Sequence, residues 1–232
     1  MMKLQPIANA LAFTGLVAVG TAVAGVKPDV PLLMVNAENG EGVVNIKNTD
    51  AVPIMLLTQR ADLTEGQSNL ITIQPPLVRI EAYQTQRVHF VLTDDGDLTT
   101  QQLQHFYFEG LPINGKLDHH TEVRERQSLQ VIVNPKGLAI NLEPWALLQW
   151  SMVNHQLTVK NDSPYVVRLL PGVRLTPGNQ SLRLPRAYVL PGERLLLEPI
   201  NKVPLSAVSK VTLSPISLYG DALENYTANV GQ

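Results

Sequence analysis

The sequence contains no cysteine, and this absence excludes several kinds of chemistry. Without thiols the chain cannot use a cysteine nucleophile, a zinc–thiolate centre or an iron–sulfur cluster. It also has no disulfides, so its stability must come from burial of apolar side chains. Hydrophobic residues make up 44% of the 232 residues, which is enough material for real cores.

Charged side chains are also scarce. They make up 16% of the sequence, against about 25% in an average soluble protein. The formal net charge of −2 offers no basic surface of the kind that binds a phosphate backbone. We therefore expect no nucleic-acid partner.

The N-terminus has the pattern of a secretory signal peptide. Lys3 supplies a positive charge, residues 7–23 are apolar or small, and Ala22-Val23-Ala24 offers a cleavage site. A membrane anchor is the alternative, but the apolar stretch is short and is interrupted by glycine and threonine. We predict that residues 1–24 are removed and that the mature protein is soluble, with no stable membrane insertion.

Short segments of alternating polarity dominate the rest of the chain. In "HFYFE", Phe106 and Phe108 alternate with His105, Tyr107 and Glu109, which is the period of a half-buried strand. Pro, Gly, Asn and Asp separate such segments, and no long amphipathic helix is present. The predicted strands are 43–48, 52–59, 69–73, 87–92, 103–109, 122–133, 146–151, 156–160, 165–170, 187–190, 194–198 and 208–213.

This spacing of strands predicts an all-β protein with two β-sandwich domains. The pattern of strands starts again after Pro135-Lys136-Gly137, so we place the domains at 25–137 and 138–232. The last predicted strand of the first domain, from Glu122 to Val133, is about twelve residues, and every other strand of that domain is predicted to be short.

No group of residues indicates catalysis. Asp118-His119-His120 could begin a metal site, but adjacent ligands on an extended chain point apart. The acidic "TDDGD" segment, residues 93–97, lacks the glutamate that closes a calcium loop. Nucleophile elbows, P-loops and dinucleotide-binding glycine motifs are missing. We expect no catalytic residues, no metal site and no cofactor, and we expect Trp145 and Trp150 to lie in the core or at its rim.

Several segments together resemble the PapD-like periplasmic pilus chaperones. The resemblance is carried by "IQPPLVRIEAYQTQRVHFVL" (73–92), "FYFEGLPI" and "LQVIVNPKGLA" in the first half, and by "LTVKNDSPYVVRL" and "YVLPGER" in the second. Their order and spacing match the family across nearly all of the mature chain. Arg79 matches the arginine of the family, whereas Glu81-Ala82-Tyr83 lacks the usual Pro-Gly.

The resemblance implies two immunoglobulin-like domains arranged as a boomerang and a protein that is not an enzyme. It implies a periplasmic chaperone that binds pilus subunits, lends them its strand by donor-strand complementation and delivers them to an outer-membrane usher. A secreted structural or adhesive component of a surface fibre is the alternative. The expected subunit-binding residues are Arg79, Val123, Arg124, Arg126, Leu129, Gln130 and Val131.

The resemblance also marks a departure from the family. Two basic residues of the family hold the C-terminal carboxylate of the subunit, and the matching positions here are Leu32 and Gln130. Neither is basic. If this charge-assisted bond is supplied elsewhere, the nearest candidates are Arg124, Arg126 and Lys136.

One question stays open from the sequence. Leu129, Val131 and Val133 form an apolar row that could fill the domain's own core or be offered to a partner. We predict that Val123, Leu129 and Val131 enter the open groove of a pilus subunit.

Overall fold

The structure is a computed structural model, and it describes residues 25–61, 69–93, 98–113, 126–199 and 208–231. Within these ranges the chain forms strands and a single 3₁₀ turn, Pro144–Leu147, with no α-helix. The strands surround two separate apolar cores. The predicted all-β class with two sandwiches is confirmed. The predicted signal peptide lies outside the described residues.

The first half forms two packed sheets. One has the order β1-β3-β7-β5 and the other the order β2-β9-β8-β4-β6. The strands are β1 (Val26–Pro28), β2 (Leu32–Asn36), β3 (Glu41–Asn48), β4 (Ile54–Arg60), β5 (Ile71–Gln74), β6 (Leu77–Ile80), β7 (Thr85–Leu92), β8 (Gln102–Pro112) and β9 (Arg126–Asn134).

The core between these sheets is built on three phenylalanines. Phe90 meets the edges of Phe106 and Phe108, with ring centroids 5.0 Å and 6.4 Å apart. The predicted alternation in "HFYFE" is therefore confirmed, because both phenylalanines of that segment are fully buried. Edge-to-face rings of this kind add to the stabilisation that burial itself supplies.

Strands β1 and β2 are one stretch of chain that changes sheets. β1 pairs with β3 in one sheet, and β2 pairs in parallel with β9 in the other. Asp29, between them, accepts hydrogen bonds from the backbone nitrogen and the side-chain amide of Asn45. The crossover at Asp29–Pro31 therefore decides where β2 begins to cover β9.

The second half repeats the sandwich plan with its own strands. They are β10 (Gln149–Val153), β11 (Gln156–Lys160), β12 (Val167–Arg168), β13 (Gly172–Thr176), β14 (Ser181–Arg183), β15 (Tyr188–Val189), β16 (Arg194–Leu196), β17 (Glu198–Pro199), β18 (Lys210–Leu213) and β19 (Tyr226–Gly231). Trp145 and Trp150 are both buried in this second core. Their predicted place in the core or at its rim is confirmed.

A buried asparagine lies at the end of one strand in each half: Asn48 is the last residue of β3, and Asn161 directly follows β11. Asn48 donates to the carbonyl of Val52, and Asn161 donates to that of Tyr165, each four residues later. Each side chain also bonds a carbonyl from a distant strand and accepts a backbone N–H two residues on. Asparagine suits such sites because one amide both donates and accepts.

The two halves are joined through an apolar cluster and a bridging glutamine. Leu32, Leu103, Ile132 and Val166 are buried together at this joint. Gln101 donates its backbone N–H to the carbonyl of Pro164 at 2.8 Å, and its side-chain oxygen accepts the backbone N–H of Val166 at 2.9 Å. Its side-chain nitrogen also donates to Asn134 on β9 at 2.9 Å. The joint thus touches the end of β9.

The strand prediction is wrong in several details, and it omits β1, β2, β6, β14 and β19 altogether. Ala146 and Leu147 lie in the 3₁₀ turn that precedes β10, not in a strand. The segment "LLPGVRLTPGN", whose two Pro-Gly pairs predicted turns and no strand, contains β13 (Gly172–Thr176), in which Val173 and Leu175 face the core. The other strands of the first domain are not all short, since β8 has 11 residues and the described part of β9 has 9.

Candidate functional site

One edge of β9 is covered along only part of its length. On one side β8 pairs with β9 from Arg126 to Val133. On the other side β2 pairs only from Gln130 onward, starting with Leu32 opposite Gln130. In the described part of the chain no strand pairs with the second edge of residues 126–129. We call this stretch the open edge, and its backbone groups are a template for an added strand.

The side chains of β9 do not point where the sequence suggested. Leu129, Val131 and Val133 are fully buried in the core of the first half, together with Phe106 and Phe108. The prediction that Leu129 and Val131 enter the groove of a subunit is therefore wrong, because both side chains already fill the domain's own interior. The predicted site residues Val123 and Arg124 lie outside the described residues.

The two positions that the family usually fills with basic residues are neighbours in space. Leu32 and Gln130 are paired in register across β2 and β9. Leu32 is buried in the joint between the halves. The amide nitrogen of Gln130 lies 3.3 Å from Nε2 of His105 on β8. The end of the open edge is thus lined by an apolar and a neutral polar side chain.

Two of the predicted arginines are held by acidic residues. Nε of Arg126 lies 3.2 Å from the buried carboxylate of Glu109. Nε of Arg79 donates to Glu81 at 2.6 Å, and this hydrogen bond raises the pKa of Arg79. Arg79 lies on β6, three strand spacings from β9 and hence about 14 Å away. The structure does not bring Arg79 to the open edge.

The second half contributes an aromatic and cationic group next to the same strand end. The rings of Tyr188 and His105 lie 5.7 Å apart, and the guanidinium of Arg186 lies 4.8 Å from the Tyr188 ring centre. Arg186 also pairs with Glu193. Burial lowers the pKa of His105 and that of Arg168, which is paired in register with Tyr188.

Sequence reasoning did not single out these second-half residues. Tyr188 occurs in "YVLPGER", which predicted a strand and a turn and carried part of the family resemblance, but which assigned no role to the tyrosine. Its meeting with His105 depends on how the two halves pack, and no sequence spacing reports that.

The ranges of the chain that the structure describes hold neither a group of metal ligands nor a membrane-spanning helix. There, no three His, Asp or Glu side chains group as metal ligands would. In the same ranges, no helix has the length and apolar character needed to cross a membrane. Both the Asp118-His119-His120 segment and Asp94–Asp97 fall outside those ranges.

Two family models together cover most of the chain. Residues 25–139 match the N-terminal domain of PapD, described as a pili and flagellar-assembly chaperone. Residues 143–227 match the C-terminal domain of the pili assembly chaperone PapD.

Individual relatives agree with these models. The chain is 31% identical over 211 residues to YhcA of Escherichia coli K12, an uncharacterized fimbrial chaperone, covering 90% of this chain and 92% of that protein. Its fold is similar to a chain of the Salmonella enterica SafA pilin–SafB chaperone complex, with a TM-score of 0.73, 19% identity, and coverage of 90% and 98%. The Pseudomonas aeruginosa CupB2 chaperone gives a TM-score of 0.70 at 16% identity, covering 88% and 100%. Two sandwich domains with separate cores, an open strand edge beside their joint and these matches lead to one conclusion: the chain belongs to the PapD family of pili assembly chaperones.

Proposed function

We propose that this protein binds pilus subunits in the periplasm by lending them the strand that contains the open edge. The observation that carries the proposal is the partial cover of β9, whose residues 126–129 bond a neighbour on one side only among the described residues. An unpaired strand edge suits strand addition, in which backbone hydrogen bonds give affinity and alternate side chains give specificity.

Known structures of similar fold support this assignment. The Salmonella neighbour is a chaperone bound to a pilin, and another neighbour is a chaperone bound to the tip adhesion subunit of Csu pili from Acinetobacter baumannii. Export, delivery to an outer-membrane usher and a role in binding rather than catalysis complete the proposal. They rest on the signal-peptide pattern and on membership of the family.

Because the side chains of Leu129 and Val131 are buried in the first core, another side chain of this strand must enter the groove of the subunit. Leu129 faces the sandwich interior, and residues two, four and six positions earlier share its phase along an extended strand. These are Gln127, Glu125 and Val123. We propose that Val123 is the apolar side chain that enters the groove of the subunit. The rest of the row is polar, so main-chain hydrogen bonds carry more of the affinity.

The C-terminal carboxylate of a bound pilus subunit would not meet the two basic residues that are usual in the family. Leu32 and Gln130 offer no charge, and Arg126 is already held by the buried Glu109. A carboxylate would have to compete with Glu109 for that guanidinium. Arg124 and Lys136 are the other two candidates on this strand and just after it. A charge-assisted hydrogen bond of this kind contributes about 1.5–3 kcal/mol.

The test is recovery of subunits on the tagged chain from the periplasm of its native host. We expect pilins to co-purify with the wild-type chain and to be lost from Val123→Asp, whose thermal melt should be unchanged. Val52→Asp is the matched control, because Val52 is 57% exposed in the turn before β4. Absence of pilins from the wild-type eluate, or recovery of the chain in sheared surface fibres, would contradict the proposal.

A further inference from the structure

The open edge stops against the second half of the molecule. A strand added along residues 126–129 lies in line with β2, which takes over the same edge at Leu32. Pro31, just before it, has no N–H to offer a neighbour. Any added strand must therefore end at Pro31, or begin there.

A short hairpin of the second half packs at this point. Gly220 sits so close to Pro31 that a Cβ built on the glycine would overlap the proline ring. Leu218 packs on the buried cluster of the joint that includes Leu32. Tyr219 lies between Leu218 and Gly220 in the chain. Its backbone is therefore one residue away from the contact with Pro31 and one residue away from the joint.

The hairpin holds its shape through many hydrogen bonds. Ile216 and Ala222 form an antiparallel bridge, and the backbone N–H of Ser217 donates to the carbonyl of Asp221 at 2.8 Å. Oγ of Ser217 accepts the backbone N–H groups of Tyr219 and Asp221 at 3.1 and 3.2 Å. Arg168 donates Nη1 to the carbonyl of Ser217 at 3.1 Å. The tip is thus fixed before any partner arrives.

On this fixed tip Tyr219 is 80% exposed. A tyrosine contributes large contact area at a small cost in conformational entropy, and tyrosines are enriched among residues that dominate binding energy. An aromatic ring on a rigid tip, at the point where the open edge ends, is placed to cover the end of an added strand.

The geometry points to Tyr219 as the second-half contact for the pilus subunit, packing on the terminal residues of the subunit strand that aligns on β9. This inference rests on the proposed function and names a residue of that same interface. The partner group it fits is an apolar side chain or aliphatic stem at the end of that strand.

The experiment compares the two most exposed tyrosines. Tyr83, 59% exposed in the turn between β6 and β7, is the matched control. Using the pilin that co-purifies with the wild-type chain, we expect Tyr219→Ala to recover about tenfold less pilin per mole of chain. Tyr83→Ala and Tyr219→Phe should recover wild-type amounts, and all three variants should melt like the wild type.

A second readout tests proximity directly. With p-benzoylphenylalanine in place of Tyr219, irradiation should cross-link the pilin, and the same probe at Tyr83 should not. Undiminished recovery by Tyr219→Ala, loss in Tyr219→Phe, or no cross-link at position 219 would overturn the inference and leave the proposed function standing. A wild-type chain that captures no pilin would overturn both.

Discussion

Leu129→Ala tests whether the apolar row of β9 belongs to the core. Leu129 has no exposed surface and packs in the first core. The substitution removes three carbon atoms, or about 2.4 kcal/mol of transfer free energy at about 0.8 kcal/mol each. The cavity left behind raises the loss to about 3–4 kcal/mol. With a urea m-value of about 1.5 kcal/mol/M, the unfolding midpoint should fall by about 2–2.7 M.

Two optical probes separate the halves in this assay. Both tryptophans of the chain, Trp145 and Trp150, lie in the second core, so their fluorescence follows that half. Far-UV circular dichroism follows the strands of both halves. In Leu129→Ala we expect the part of the dichroism transition that reports the first half to shift to lower urea concentration. The fluorescence transition, which reports the second half, should keep its midpoint. Ser128→Ala, exposed on the same strand, is the control and should shift the midpoint by less than about 0.3 M. A Leu129→Ala midpoint as close as that to wild type would refute the placement of the row in the core.

Two further predictions concern the joint between the halves. Gly220→Ala should destabilise the protein by more than about 1 kcal/mol in urea unfolding, because Gly220 has a positive φ and a Cβ there meets Pro31. Gly137→Ala, also at positive φ but in open space, should cost less, and equal losses would argue against the contact. His105 should make stability fall with acidification, because burial lowers its folded-state pKa and the unfolded chain binds the proton more readily below about pH 6.5. The unfolding midpoint should drop between pH 7.5 and 5.5, and by less in His105→Gln; the same drop in both proteins would show that another group is responsible.

The sequence predicted much of the fold because each sandwich strand buries one face. The period of two in "HFYFE" identified β8, and strand β11 was predicted with its observed bounds. The pairing of Leu32 with Gln130 also agrees with the resemblance, which matched these two positions to the two basic residues of the family. Such features depend on local pattern and on order along the chain.

The direction of the β9 row could not be predicted in the same way. Leu129 and Val131 would look the same in a sequence whether a domain or its partner buried them. The extent of β2 shows which part of β9 is available to a partner, because β2 pairs with β9 only from Gln130 onward. The contributions of Tyr188 and Tyr219 depend on packing between distant parts of the chain, so no local pattern could reveal them.

The position of the crossover at Asp29–Pro31 affects both the stability of the protein and the length of β9 that stays free to bind a subunit. If β2 extended further toward the start of β9, each added residue would form hydrogen bonds with backbone groups of the open edge. Those groups would then no longer be available to a pilus subunit. Shifting the crossover toward the N-terminus should therefore give a more stable protein with a shorter docking strip. Shifting it the other way should lengthen the strip and loosen the joint at Leu32. The length of β9 that is available to a pilus subunit is thus determined by the point at which the chain crosses from β1 in one sheet to β2 in the other.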